Sequence, residues 1–226
     1  MVRELKSERR GVAPGGAKQV VVFLHGYGAD GADLLGLADP MEPYLPDTAF
    51  YAPDAPERCT GNPFGRQWFP IPWLDGSSEE AAKASMASSV ADVDAFVDKV
   101  LADEGLTADR LILLGFSQGC MMSLQIAPRR DAACAGVVGI SGRLLEPDRL
   151  AAEAKVRPPV LLMHGDQDDV VPFASLKEAA DALVENGFET YVHVMKGMGH
   201  GISPDALGQA VGFMRLKLGL ETAGGG

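Results

Sequence analysis

Short runs of consecutive apolar residues recur along the chain and predict buried β-strands. In most of these runs Val, Ile, Leu and Phe fill neighbouring positions instead of alternating with polar residues, which is typical of strands that are covered on both faces in a parallel sheet. The predicted strands cover residues 19–25, 48–53, 110–115, 135–141, 159–165 and 189–195.

Longer segments between the strands carry apolar residues at steps of three and four, which predicts amphipathic helices. The longest begins at a capping box formed by Ser77 and Glu80 and ends at Gly105. Its predicted buried face consists of Met86, Val90, Val93, Val97, Val100 and Leu101. The pattern over residues 174–186 predicts a buried face of Leu176, Ala179, Ala180, Leu183 and Val184. The last helix begins with Ser203 and Pro204 and is predicted to bury Leu207, Val211, Met214 and Leu218.

Alternating strands and helices in a chain of 226 residues predict one α/β domain, an open and mostly parallel sheet with helices on both faces. We place this domain at residues 18–220, after an N-terminal extension at residues 1–17 and before a flexible tail at residues 221–226. Ligands of such sheets collect at the carboxyl ends of the strands. Functional residues are therefore expected directly after the predicted strands.

Net charge, cysteine spacing and the lack of long apolar runs limit the partners and the compartment that the sequence predicts. The net charge of −11 at pH 7 would repel nucleic acids and anionic membrane surfaces, so neither is expected to bind. The three cysteines, Cys59, Cys120 and Cys134, lack the spacing of a metal site and are expected to be reduced thiols of a cytoplasmic protein. The charged amino terminus does not resemble a signal peptide, and no apolar run approaches the length of a transmembrane helix.

Ser117 is the candidate nucleophile. Gly115-Phe116-Ser117-Gln118-Gly119 forms a GxSxG pattern between a predicted strand and a predicted helix. This pattern is typical of a nucleophile on a tight, strained turn, where small residues on both sides let strand and helix approach each other. A serine that only caps the helix is the structural alternative. The nucleophile interpretation predicts φ > 0 at Ser117 and a histidine ring nitrogen close to its Oγ.

His200 is the expected base among the four histidines. In a sheet of this kind the nucleophile precedes both the acid and the histidine along the chain, which excludes His25. An obvious acid is found only after His164, and His193 alternates with apolar neighbours as a packed strand residue does. His200 lies in a glycine-rich loop after the last predicted strand, where a base is expected.

The acid that orients this base is expected in the loop after residues 159–165. Asp166, Asp168 and Asp169 all lie in this loop. Only one carboxylate can face the imidazole, and the others would form turns or helix caps. Spacing alone does not decide between Asp168 and Asp169.

Two backbone N–H groups are expected to bind the oxygen of a tetrahedral intermediate. One is the N–H of Gln118, and the other is the N–H of Tyr27 in the loop after the first predicted strand. A simple glycine-rich turn is the structural alternative for the Tyr27 loop. The phosphate-binding patterns GxxxxGK[ST] and GxGxxG are absent from it.

Five blocks of the sequence resemble, in order, the signature blocks of one α/β-hydrolase family. They are FLHGYGADG, GFSQGCMM, ISGRL, HGDQDDVVP and GMGHGISP, and the resemblance runs from about residue 18 to residue 218. The family comprises carboxylesterases, lysophospholipases and acyl-protein thioesterases. The resemblance implies the α/β-hydrolase fold, and the length of the chain leaves room for a minimal lid only.

The resemblance also implies roles for individual residues. Ser117 would be the nucleophile, His200 the base, and Tyr27 and Gln118 the backbone donors. The family's acid stands four residues after the histidine of the HGxxDxxVP block, which is Asp168 in this sequence. Many relatives have proline or another small residue at the next position, where this chain has Asp169.

A tryptophan-bearing loop beside the site is a further feature of the family, and the matching segment is GRQWFPIPWLDG. Trp73, Phe69 and Leu74 are the candidates in this loop for the wall of an acyl pocket. A loop that only seals the edge of the sheet is the structural alternative.

These observations predict a serine carboxylic-ester hydrolase that cleaves short-to-medium acyl esters through an acyl-enzyme, with no metal or cofactor. The expected substrate is a small-molecule or lipid-like ester. Acyl-protein thioesterase, acting on acylated proteins, and lysophospholipase are alternatives with the same chemistry. A non-catalytic binding module on the same fold is the alternative from another class. The sequence does not decide the oligomeric state. An exposed apolar patch near the tryptophan-bearing loop could be the interface of a homodimer.

Overall fold

The computed structural model of the protein describes residues 2–59 and 61–220. Within them, seven strands form one sheet and two very short strands form a hairpin. The strands are β1 (Ser7–Gly11), β2 (Gln19–Leu24), β3 (Thr48–Pro53), β4 (Glu57–Arg58), β5 (Arg66–Gln67), β6 (Leu111–Phe116), β7 (Gly136–Ile140), β8 (Val160–Gly165) and β9 (Thr190–Met195). The predicted flexible tail at residues 221–226 lies outside the described residues.

The large sheet has the strand order β1-β3-β2-β6-β7-β8-β9. Strand β1 pairs antiparallel with β3, and the other neighbouring strands are parallel. All six predicted strands are present, and their ends differ from the predicted ends by at most one residue. The open, mostly parallel sheet expected from the sequence is therefore confirmed.

Helices cover both faces of this sheet. They are α1 (Gly31–Leu35), α2 (Ala38–Met41), α3 (Pro72–Asp75), α4 (Glu79–Glu104), α5 (Gln118–Ile126), α6 (Pro147–Glu153), α7 (Ala174–Glu185) and α8 (Pro204–Lys217), and 3₁₀ turns lie at Glu42–Tyr44, Ala108–Arg110 and Ala127–Arg129. None of the helices in residues 2–59 and 61–220 combines the length and the apolar composition that a membrane span needs.

The core consists of two apolar layers, one on each face of the sheet. Successive side chains of a strand point to opposite faces. Val20 and Val22 of β2 therefore belong to the apolar layer that includes residues of α4, α5 and α7, whereas Val21 and Phe23 belong to the layer that includes residues of α1, α2 and α8. Burial on both faces explains why the inner parallel strands are apolar at consecutive positions.

Strand β1 has no counterpart among the predicted strands. Its sequence Ser-Glu-Arg-Arg-Gly is mostly charged, and its side chains are half-buried or exposed because β1 is an edge strand. Arg9 anchors it to the domain, since its Nε lies 2.8 Å from Glu104 Oε1 and 3.1 Å from the Tyr51 hydroxyl. The segment treated as an N-terminal extension at residues 1–17 thus contributes a strand to the sheet.

The start of α4 differs from the predicted capping box. Ser78, not Ser77, is the N-cap, and its Oγ accepts a hydrogen bond from the Ala81 N–H at 3.1 Å. Ser77 instead belongs to the preceding turn, where its N–H donates to Asp75 Oδ1 at 3.0 Å. The end of the helix at Gly105 is as predicted, with the left-handed φ of 67° that glycine favours there.

The buried face of α7 is narrower than predicted. Leu176, Ala179 and Leu183 are buried, but Val184 is 59% exposed. Val184 follows Leu183 directly and is rotated about 100° around the helix axis, which turns its side chain towards solvent. The predicted buried position of Val184 is therefore wrong.

Candidate active site

Ser117 lies on a sharp turn between β6 and α5. Its φ of 53° and ψ of −115° are outside the regions that non-glycine residues prefer. Its N–H donates to Ile140 O of β7 at 2.8 Å, and its carbonyl oxygen accepts from the Met121 N–H at 3.1 Å. Two backbone hydrogen bonds therefore hold the strained residue, and the predicted positive φ is confirmed.

The glycines on either side of Ser117 have a steric role. A Cβ on Gly115 would lie 2.1 Å from Gly119 O, and a Cβ on Gly119 would lie 1.7 Å from Leu24 O. Both distances are far below van der Waals contact. The GxSxG spacing thus lets α5 start directly against β6 and β2, which leaves the serine at the apex of the turn.

His200 connects Ser117 to Asp168. The Nε2 atom of His200 lies 2.9 Å from Ser117 Oγ, and its Nδ1 atom lies 2.7 Å from Asp168 Oδ2. Ser117 and Asp168 are buried, and His200 is half-buried with its ring centroid 5.0 Å from that of Phe116. The three side chains come from loops after β6, β8 and β9, so the carboxyl ends of the strands bring them together as expected.

Asp168 is surrounded by hydrogen-bond donors. Its Oδ1 accepts from the N–H groups of Val170 and Val171, both at 2.9 Å, and its Oδ2 accepts from His200. Burial alone would raise the pKa of this carboxyl, but the hydrogen bonds from His200, Val171 and Val170 outweigh burial and place the pKa below its ordinary value. Asp168 is thus ionised at neutral pH, as an acid that orients a histidine must be.

The other two carboxylates of this loop point elsewhere. Asp166 Oδ1 accepts the N–H of Gly197 at 2.7 Å and so ties the β8–α7 loop to the loop that carries His200. Asp169 is exposed. The geometry therefore separates the two candidates that spacing alone did not, because Asp168 is the carboxylate that contacts His200.

His164 is a member of the site that the sequence interpretation missed. It is buried at the end of β8, and its Nε2 lies 3.0 Å from Val171 O and 3.1 Å from Asp168 Oδ2. A carbonyl oxygen can only accept, so Nε2 carries the hydrogen and faces both oxygens. The sequence disfavoured His164 as a base, but its spacing of four residues from Asp168 was a signal for this second contact.

His25 and His193 lie outside this arrangement. His25 is buried, and its Nε2 accepts the Ala55 N–H at 3.0 Å, which leaves Nδ1 to donate to Gly26 O at 2.8 Å. Burial lowers the pKa of His25, so the ring stays neutral. His193 lies on β9, with its Nε2 2.6 Å from Asp205 Oδ2.

The predicted N–H donors, Tyr27 and Gln118, belong to segments that adjoin Ser117. The Tyr27 loop is close, since a Cβ on its Gly26 would lie 3.3 Å from Ser117 Cβ. Gln118 is the first residue of α5, where backbone N–H groups have no partner inside the helix. In the part of the chain that the structure describes, neither the Tyr27 N–H nor the Gln118 N–H donates to a protein acceptor. Both are therefore free to bind a substrate oxygen.

The side chain of Gln118 attaches the tryptophan-bearing loop to this turn. Its Oε1 accepts from the Trp68 N–H at 2.8 Å, and its Nε2 donates to Phe69 O at 2.7 Å. The Trp68 Nε1–H donates to His25 O at 2.9 Å, and the Trp68 side chain is fully buried. The loop is thus fixed to the segments that carry both candidate N–H donors.

A cavity of about 200 Å³ lies next to the start of α5. Ser117 does not line it, but Met121 does, and the Met121 N–H donates to Ser117 O at 3.1 Å. Phe69 and Trp73, two of the residues predicted for the pocket, line the cavity together with Met121 of α5. Leu74 does not line this cavity and is 61% exposed. Leu74 follows Trp73 on α3, where one residue corresponds to a rotation of about 100°, so its side chain turns away from the cavity.

Comparison with known proteins places this geometry in a family. Residues 12–218 match the model of the phospholipase/carboxylesterase family. The acyl-protein thioesterase 1 of Gibberella zeae is 27% identical over 214 residues, which cover 88% of this chain and 90% of that protein. Esterase YpfH of Escherichia coli is 25% identical over 202 residues, which cover 89% of this chain and 84% of that protein.

Comparison with solved structures also points to an esterase of this fold. The crystal structure of esterase PE8 superposes with a TM-score of 0.89 at 40% identity and covers 95% of this chain and 99% of that one. The fold is therefore the α/β-hydrolase fold that the sequence blocks implied, and the enzyme is a serine hydrolase that acts on ester bonds. The chain belongs to the phospholipase/carboxylesterase family.

Proposed function

We propose that this serine hydrolase is a carboxylesterase that cleaves short-to-medium acyl esters through a Ser117-bound acyl-enzyme. The hydrogen-bonded series Ser117 Oγ, His200 Nε2, His200 Nδ1 and Asp168 Oδ2, with separations of 2.9 and 2.7 Å, carries the proposal. A serine hydroxyl next to an imidazole that a buried carboxylate orients is an activated nucleophile.

The reaction follows from this arrangement. His200 takes the proton of Ser117 as Oγ attacks the ester carbonyl, and Asp168 balances the charge of the imidazolium. The N–H groups of Tyr27 and Gln118 bind the oxyanion of the tetrahedral intermediate. His200 then protonates the leaving alcohol, and the same residues activate a water molecule that hydrolyses the acyl-enzyme.

The size of the cavity supports short-to-medium acyl groups. A volume of about 200 Å³ has room for about seven groups of water size at roughly 30 Å³ each. Its walls at Phe69, Met86, Met121 and Trp73 are apolar and suit a hydrocarbon chain.

Hydrolysis of p-nitrophenyl esters from acetate to laurate tests the proposal. Wild type should be active with a maximum at short or medium chains, and Ser117→Ala should lose about 10³-fold or more in kcat. A folded wild type that hydrolyses none of these esters would overturn the proposal and favour the non-catalytic binding module. A folded Ser117→Ala variant with undiminished activity would remove Ser117 from the mechanism.

Thioester cleavage is a second candidate function. It has support from the acyl-protein thioesterase 1 of Gibberella zeae, which matches over 88% of this chain. A thiol leaving group needs the same steps on Ser117. Comparison of kcat/KM for an oxygen ester and a thioester of the same acyl chain separates the two candidates, because a thioesterase should favour the thioester well beyond its greater intrinsic reactivity.

A further inference from the structure

Arg143 brings a positive charge to the wall of the cavity next to the start of α5. Its neighbour Gly142 touches the nucleophile, since a Cβ there would lie 2.8 Å from Ser117 O. Met121, which lines the cavity with Arg143, donates its N–H to the same Ser117 O at 3.1 Å. The wall that carries Arg143 is therefore built on residues that contact the nucleophile's backbone.

The guanidinium of Arg143 has no charged partner. Its central carbon lies 4.9 Å from the centroid of the Trp73 ring. Among the residues that the structure describes, the guanidinium forms no ion pair and no hydrogen bond, and its Nε is buried without a partner. An arginine that is packed on an aromatic ring but unpaired has donors left for an anion.

The other charges around the cavity offset one another. Glu146 is paired with Arg149, whose Nη1 lies 3.0 Å from Glu146 Oε2. Glu79 and Lys83 are exposed and one turn apart on α4, where opposite charges compensate each other. Among the described residues, Arg143 is therefore the cation of the cavity wall that has a buried nitrogen without a partner.

A ligand that is complementary to this cavity combines an apolar chain, which contacts the walls, with a terminal anion, which binds the Arg143 guanidinium. Phe69, Met86, Met121 and Leu145 provide apolar contacts along the wall. The planar guanidinium matches the two oxygens of a carboxylate, and such charge-assisted hydrogen bonds are stronger than neutral ones. The cavity of about 200 Å³ has room for a chain of about seven non-hydrogen atoms, at roughly 30 Å³ per group.

We propose that Arg143 selects esters whose acyl chain ends in a carboxylate, that is, monoesters of short dicarboxylic acids. This proposal rests on the proposed function, because it requires the acyl chain to occupy the cavity while its ester carbonyl is at Ser117. Trp73 holds one face of the guanidinium, and the carboxylate of the substrate binds at its edge. Arg143 is then a specificity-determining residue.

Two ethyl esters of equal shape test this proposal. Monoethyl adipate ends in a carboxylate, and its primary amide, ethyl adipamate, ends in a neutral group of the same size. Ethanol release gives kcat/KM for each. Wild type should favour monoethyl adipate by about tenfold to a hundredfold, the range expected for a hydrogen-bonded ion pair.

Substitutions at Arg143 test whether this residue causes the preference for monoethyl adipate over ethyl adipamate. Arg143→Met keeps an apolar stem over Trp73 and should reduce the preference to near one, and Arg143→Lys should keep part of it. Arg10→Met removes one positive charge from β1, away from the cavity, and should leave the preference as in wild type. Thermal unfolding checks that each variant is folded, and the substrate comparison on wild type needs no variant.

The outcomes separate this proposal from the proposed function. Equal kcat/KM for the two esters in wild type overturns the role of Arg143 and leaves the esterase intact. A preference that survives in Arg143→Met overturns it as well. If wild type hydrolyses p-nitrophenyl butyrate but neither adipate derivative, the role of Arg143 is also overturned and the esterase activity stands. If wild type hydrolyses no ester at all, the proposed function itself is contradicted.

Discussion

At the scale of single residues, the candidate site depends on how one buried carboxylate is surrounded. Asp168 accepts two backbone N–H groups on Oδ1, and its Oδ2 faces His200 and His164. These contacts fix both oxygens. The Nδ1 atom of His200 is held as a donor to Asp168, which leaves Nε2 as the acceptor that Ser117 needs.

Replacement of Asp168 by asparagine tests this orientation. The amide can present a donor to His200 Nδ1, which would favour the tautomer with hydrogen on Nε2. We expect kcat for a p-nitrophenyl ester to fall by about 10³- to 10⁴-fold in Asp168→Asn. Asp169→Asn is the matched control, because Asp169 is exposed, and its kcat should stay within twofold of wild type. Similar losses in both variants would contradict the assignment of Asp168.

The lowered pKa of Asp168 predicts a pH dependence of stability. The hydrogen bonds from His200 and the backbone hold the pKa below its ordinary value of 3.8. The ionised carboxylate therefore stabilises the fold above about pH 4, and this contribution is lost as the pH falls through the lower, folded pKa. Urea unfolding between about pH 4 and about pH 2 should show a steeper loss of unfolding free energy for wild type than for Asp168→Asn. Parallel curves would contradict the depressed pKa.

His164 has a structural contribution of its own. In His164→Phe, the buried Val171 carbonyl oxygen loses its donor, and Asp168 Oδ2 loses a contact. We expect the unfolding free energy to fall by about 1–3 kcal/mol, as for other buried polar groups left without a partner. His193→Phe, on the edge strand β9, should change it by less than about 1 kcal/mol, because its pairing with Asp205 is near the surface. Equal losses in the two variants would argue against a special contact at His164.

At the scale of elements, the turn from β6 to α5 depends on backbone packing. Leu24 O of β2 lies where a side chain of Gly119 would begin, and Gly119 O lies where a side chain of Gly115 would begin. The start of α5 thus packs backbone to backbone against the parallel strands β2 and β6. This close approach is the reason that the serine can occupy a turn with positive φ.

Glycine-to-alanine replacements distinguish this packing from general helix effects. In Gly119→Ala the new methyl group overlaps Leu24 O, so we expect a loss of about 1–3 kcal/mol or more in unfolding free energy, together with reduced activity. Gly208→Ala in α8 meets no atom within 4 Å and should stabilise the protein by about 0.5–1 kcal/mol. Thermal unfolding and ester hydrolysis of both variants test the prediction. A Gly119→Ala variant as stable and active as wild type would contradict it.

The sequence predicts the inner parallel strands β2, β6, β7 and β8 well because each is buried on both faces and therefore apolar. The parallel edge strand β9 is half-buried or exposed at most positions. The same rule cannot find β1, whose residues Ser7 to Gly11 are polar and pair on one side only. It also cannot tell Ser77 from Ser78 at the start of α4. Asp75 decides that point by binding the Ser77 N–H, and such a local competition has no signature in periodicity.

At the scale of the whole molecule, the site is assembled from segments that are far apart in sequence. The order of the sheet brings the loops after β2, β6, β8 and β9 to one edge, so the candidate nucleophile and base could be predicted from their positions after strands. Position alone placed the acid in the loop after β8 without choosing among its aspartates. Contacts between loops could not be predicted. Gln118 binding to Trp68, and Trp73 stacking under Arg143, depend on how two irregular segments fold over the sheet.

The identity of Ser117 as nucleophile is the central claim, and covalent labelling tests it most directly. The folded protein is treated with a fluorophosphonate, and the adduct is located by intact mass and peptide mapping. One adduct on Ser117 is predicted, together with none on Ser117→Ala and none on protein unfolded before treatment. An adduct on another residue, or no adduct on a protein that still hydrolyses esters, would contradict the account.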